Sequence, residues 1–124
     1  MNEIFGWLWV LVGFLSGLAL GLGFHREDWL GGYGSLRRRM VRLGHVSLVA
    51  LGALNVLYAQ TAPRLVLAPA LASTASVALI VGAVTMPTCC GLMAWRPEFR
   101  MLFAIPVASL VLGAGIVLAG LAAS

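Results

Sequence analysis

Charge is scarce in this chain, and lysine is missing altogether. Only 10% of the 124 residues are charged, against 61% hydrophobic, and the mean hydropathy is +1.01. A water-soluble domain carries roughly 25% charged residues. That many cannot be found here, so a soluble globule is excluded and a bilayer is the expected solvent. All eight basic residues are arginines, and the pI near 10.1 does not argue for nucleic acid once the chain is placed in lipid.

Charge is also missing from where transport chemistry needs it. No Asp, Glu or Arg falls in the middle of a long apolar run, and Glu3 lies at the extreme end of the first one. Proton- or ion-coupled carriers rely on an intramembrane ionisable group. The comparison with four-helix multidrug exporters of this length, which use a membrane-embedded carboxylate, is weakened accordingly, and a small-solute carrier is the least favoured expectation. Paired carboxylates, a Ser/His/Asp set, a zinc motif and a CxxC are missing too. No enzyme is expected. The only cysteines, Cys89 and Cys90, are neighbours. A bridge between them would close a strained ring, so no structural disulfide is expected. Met1-Asn2-Glu3 has no basic region and no small-residue cleavage site follows, so residues 4–24 read as a retained span.

What the chain does have is apolar length. A spanning helix needs about 20 apolar residues. Residues 4–24, 40–60, 68–95 and 101–122 each meet that length or come close. Ser35 suits a helix cap ahead of the second span, Pro69 a helix start and Pro97 a stop. The expected fold is all-α: a single domain, residues 1–124, forming a compact bundle of four transmembrane helices.

The arginines predict orientation. The first link carries Arg26, Arg37, Arg38, Arg39 and Arg42, the third carries Arg96 and Arg100, and the second carries Arg64 alone. Links one and three are expected in the cytoplasm of a bacterial-type inner membrane, with both termini on the outer, periplasmic side. Trp7, Trp9 and Tyr58 would then mark the outer boundary, and Trp29, Tyr33 and Trp95 the inner one.

Small residues mark where backbones can approach in lipid. The first span reads Gly13-x3-Gly17-x3-Gly21, and the same ridge reaches His25. The third carries Ala70, Thr74, Ala78 and Gly82 at the same spacing, and the fourth Ser109 with Gly113 and Gly115 with Ala119. At about 100° per residue, Arg38, Arg42, His45, Gly52 and Asn55 form a polar stripe on the second helix. An unpartnered polar group in hydrocarbon costs several kcal/mol, so this stripe is expected to face the bundle, with Asn55 as a helix-packing residue.

Three constellations could carry chemistry. His25 and His45 lie near the same end of adjacent helices, where two imidazoles could clasp a haem b iron or a metal; a histidine at a helix end is more often a plain interfacial residue. Met86, Cys89, Cys90 and Met93 fall within one arc of the third helix and offer soft ligands for copper(I) or mercury(II), although Cys and Met are also ordinary apolar packers. The vicinal pair in Thr88-Cys89-Cys90-Gly91 resembles that of the small bacterial mercuric-ion transport proteins. Here it stands on the third span rather than the first, and no second pair exists to receive an ion, so the family is not assigned. Pro87 deprives the Ala83 carbonyl of its helical donor, and Pro106 does the same to Leu102; Thr85 or Thr88 is expected to compensate near Pro87. Finally, Arg37, Arg38, Arg39 and Arg42 sit where a helix dipole disfavours cations, which points to lipid headgroups or a partner.

The reading that follows is an accessory or assembly subunit of a larger inner-membrane complex, one of electron transport being an example, with lipid and a membrane-protein partner or a second copy as its contacts. A haem or soft-metal protein is the alternative. No resident cofactor is expected on the first reading.

Overall fold

The structure is a computed structural model that describes residues 1–124. It contains helices and no strands. The four long helices are α1 (Asn2–Phe24), α2 (Leu36–Thr61), α3 (Pro69–Trp95) and α4 (Ala104–Ala122). Each is long and apolar enough to cross a membrane, α4 together with the 3-10 segment Pro97–Phe103 that leads into it. By composition this is a multi-pass membrane protein.

Local signals account for the ends. Ser35 caps α2, its hydroxyl oxygen accepting from the Arg38 amide at 3.1 Å. Pro69 opens α3, where its missing N–H costs nothing. The first link turns through three consecutive residues of positive φ, Leu30 (53°), Gly31 (88°) and Gly32 (93°). The two glycines take that conformation freely; Leu30 does not. The Leu30 carbonyl accepts the Ser35 hydroxyl at 2.7 Å, which ties the turn to the helix it introduces.

Packing is serial. α1 lies along α2, α2 along α3, and α3 along α4, with α1 touching α3 at a few points. In the α3 span 39% of residues are buried, against 17% in α1 and 11% in α4, so α3 is the centre. A core of Tyr58, Ala75 and Leu79 joins α2 and α3 to Leu110, Ile116 and Val117 of α4. The bundle is therefore open: α1 and α4 flank the α2–α3 pair instead of closing a ring.

Glycine sets the close approaches. A Cβ on Gly6 would stand 2.6 Å from the Gly52 carbonyl oxygen, and one on Gly52 would stand 2.8 Å from that of Gly6. The backbones of α1 and α2 touch there. Farther along, Gly13 receives Val49 and Gly17 receives the His45 ring. Gly21, expected to continue this ridge, has no atom within 4 Å of where its Cβ would be. The working spacing is 6, 13, 17, and Gly21 lies off the contact face. On the other side Leu110 of α4 fits over Gly82, and Leu79 of α3 fits over Gly113.

Candidate functional site

The polar side chains form four fasteners, spread from one end of the bundle to the other. At the end that carries both termini, Asn2 is buried. Its amide donates to Asn55 Oδ1 at 2.8 Å and to the Ser76 carbonyl at 3.2 Å, and its oxygen accepts the Ser76 hydroxyl. Asn55, fully buried, donates in turn to the Leu51 carbonyl at 2.9 Å. Three helices are joined through one amide pair. Asn2 carries no periodic signal, and only its position one turn before the first glycine contact hints at its role.

The two proline defects are each met from a neighbouring helix. The Ala83 carbonyl, left without its donor by Pro87, accepts Trp9 Nε1 from α1 at 2.9 Å. Thr85 and Thr88 do not compensate: their hydroxyls return to Val81 and Val84, one turn back. Trp9 is thus half-buried at the α1–α3 contact. The Leu102 carbonyl, which Pro106 cannot serve, accepts the Ala104 N–H at the end of the 3-10 segment and lies 3.5 Å from Cys89 Sγ of α3, a contact consistent with a weak S–H donor.

At the opposite end, consecutive arginines of α2 reach the C-termini of two different helices. Arg38 is completely buried. Its guanidinium donates to the carbonyls of Phe24 (3.0 Å), Arg26 (3.1 Å) and Glu27 (3.4 Å), where α1 ends. It also lies over the rings of Tyr33 (3.7 Å), Phe24 (4.9 Å) and Trp29 (5.4 Å). Its Nε alone has no partner. Arg37 donates to the Ala94 carbonyl at 3.2 Å, in the last turn of α3, and stacks on Trp95 at 4.4 Å. The assignment of Arg38 to lipid or an external partner is therefore corrected: with no exposed surface it can meet neither. The dipole of α2 does disfavour it, but α1 and α3 run antiparallel and end at the same level, so their C-terminal carbonyls offer the opposite field. Arg39 and Arg42 remain exposed beside Leu43 and Val46.

The remaining candidates do not converge. His45 is half-buried against Gly17, whereas His25 is exposed at the end of α1. Eight residues separate Gly17 from His25, about 12 Å of helix rise. Two imidazoles that share one iron must approach within a few ångströms, so this arrangement does not bring them to one atom. Cys89 and Cys90 are both buried free thiols that face different neighbours, Cys89 toward Leu102 and Cys90 toward Gly44 of α2. Met86 and Met93 are half-buried on the same helix. No three His, Cys, Asp or Glu side chains are grouped for a metal ion.

Two outward features complete the picture. A cleft of about 300 Å³ opens between α1, α2 and α3, with Ser16, His45 and Pro87 in its wall. On α4 the exposed pair Gly115 and Ala119 floors a shallow concavity with Leu67, Leu71 and Leu112, and no atom lies within 4 Å of a Cβ built on Gly115. No family model, curated protein or solved structure matches this chain.

Proposed function

We propose that this protein is an accessory or assembly subunit of a larger membrane complex. The observation that carries the reading is the outward Gly115–Ala119 pair on α4. Glycine in a helix is about 1 kcal/mol worse than alanine. Gly6, Gly13, Gly17, Gly82 and Gly113 offset that cost by admitting a neighbouring backbone or side chain. Gly115, like Gly21 and Gly91, admits nothing from this chain, but it shares a concavity with an exposed small residue one turn on. A small-residue groove in lipid is what a second membrane helix packs into. The inward polar groups support the same role, since most are engaged in fastening helices.

The location that fits is a bacterial inner membrane with both termini outside. Seven of the eight arginines lie at the end of the bundle away from the termini, and the exposed Arg39 and Arg42 are placed to meet anionic headgroups. An electron-transport complex is one setting consistent with a small helical subunit. Blue-native electrophoresis of mildly solubilised native membranes tests the proposal. The protein should migrate in a band much larger than its 13.0 kDa, and Gly115→Ile should release it as a free species that remains folded. Migration of the unaltered protein as a lone monomer would overturn the reading.

A further inference from the structure

The cleft between α1, α2 and α3 contains a histidine whose tautomer the hydrogen bonds define. Ser16 Oγ lies 2.7 Å from the Gly13 carbonyl and 3.0 Å from His45 Nδ1. Two oxygens 2.7 Å apart need a hydrogen between them, and a serine hydroxyl has only one. That hydrogen belongs to the Gly13 contact, so Ser16 Oγ accepts from His45 and Nδ1 carries the proton. The imidazole's other nitrogen, Nε2, then presents its lone pair. It makes no hydrogen bond within the protein, and it is not among the fully covered, unpartnered atoms, of which Arg38 Nε is the single case. Nε2 thus keeps accessible surface and an unused lone pair, and the ring that bears it lies over Gly17, where a larger residue would collide with it.

The surroundings select the ligand. The cleft holds about 300 Å³ and is lined by Ser16, Leu20, Met40, Gly44, His45 and Pro87, among others. That is the lower end of the range for small-molecule sites, and an apolar wall with one placed polar atom is their usual composition. No lysine, arginine or acid lines it, so a charged ligand has no counter-ion there. A neutral acceptor in an apolar wall pairs best with a neutral, strong hydrogen-bond donor on an apolar body. We infer that the cleft binds a membrane-soluble phenol or hydroquinone, whose hydroxyl donates to His45 Nε2 while its hydrocarbon tail leaves through the open side into lipid.

The test uses the full chain in lipid nanodiscs with ¹⁵N-labelled histidine and His25→Gln to leave one imidazole. In its neutral form the His45 ring should carry its proton on Nδ1 and leave Nε2 unprotonated. Titration with decylhydroquinone should shift the Nε2 resonance saturably. Its dimethyl ether, which has no donor, should bind about five- to tenfold more weakly, the worth of one neutral hydrogen bond. His45→Phe, which keeps a ring over Gly17, should lose the same factor for the hydroquinone and none for the ether. Equal binding of hydroquinone and ether to the unaltered protein would overturn the inference, whatever the variant does. So would a neutral ring with its proton on Nε2 instead of Nδ1, or no saturable shift.

Discussion

Arg38 offers the sharpest perturbation, because its guanidinium holds the end of α1 by three hydrogen bonds and an aromatic enclosure. Charge-assisted bonds are worth about 1.5–3 kcal/mol each when taken singly, and a desolvated cation–π contact about 2 kcal/mol. These do not sum, since burying the guanidinium costs several kcal/mol in return and the freed carbonyls lie near the end of the bundle, where water can reach them. The expected net loss for Arg38→Met is about 3 kcal/mol, the upper end for leaving neutral acceptors without their donor. Arg38→Lys is more informative. It keeps the charge, and therefore the topology signal, but a single ammonium cannot span three carbonyls as the planar fork does. It should lose about 2 kcal/mol. Arg39→Met and Arg39→Lys, at an exposed position on the same turn, should stay within about 0.5 kcal/mol. Reversible unfolding in bicelles, followed by steric trapping, measures all four. If Arg38→Lys matches Arg39→Lys, the guanidinium does not fasten α1 and the reasoning fails.

The other consequences are distributed along the bundle. Trp9→Phe removes the donor to the Ala83 carbonyl and should cost about 1 kcal/mol in the unaltered background. In Pro87→Ala, where residue 87 regains its N–H, the same change should cost much less, and a double-mutant cycle without coupling would refute the pairing. Gly52→Val forces a Cβ against the Gly6 carbonyl and should destabilise by about 1–3 kcal/mol, whereas Gly21→Ala, which meets open space, should be neutral or gain up to about 1 kcal/mol by helix propensity; equal effects in thermal unfolding would contradict the α1–α2 register. Alkaline phosphatase fused after Ser124 should be active in a bacterial host, and fused after Gly34 inactive, with the reverse pattern contradicting the proposed orientation.

The parts of this fold that show in the sequence are those set by local chemistry. Apolar length predicts four helices, and Ser35 and Pro69 mark two helix starts. The expected span 40–60 is a helix beginning at Leu36, because the Ser35 cap acts before hydrophobicity rises. The fourth span begins in 3-10 geometry over Pro97–Phe103, and its α-helix starts only at Ala104. What does not show is the identity of partners across the bundle. An arginine in a first turn reads as a dipole conflict until the antiparallel C-termini beside it are located. A tryptophan near a terminus reads as an interfacial anchor, since its ring suits that role as well as donation to a carbonyl. The proline at position 87 announces a free carbonyl at Ala83, yet nothing in the one-dimensional pattern points to Trp9, 74 residues away. The polar stripe on α2 divides for the same reason: Arg38, Gly52 and Asn55 are buried, His45 is half-buried, and Arg42 is exposed because no helix covers its side.

The claim that α4 presents a seat for another membrane helix is the one on which the functional reading rests. A photo-reactive phenylalanine analogue placed at Ala119, and as a control at Leu15 on the exposed face of α1, can be activated in native membranes and its adducts identified by mass spectrometry. The account predicts one discrete protein adduct from Ala119, abolished by Gly115→Ile, and only lipid adducts from Leu15. Lipid adducts alone at both positions would contradict it.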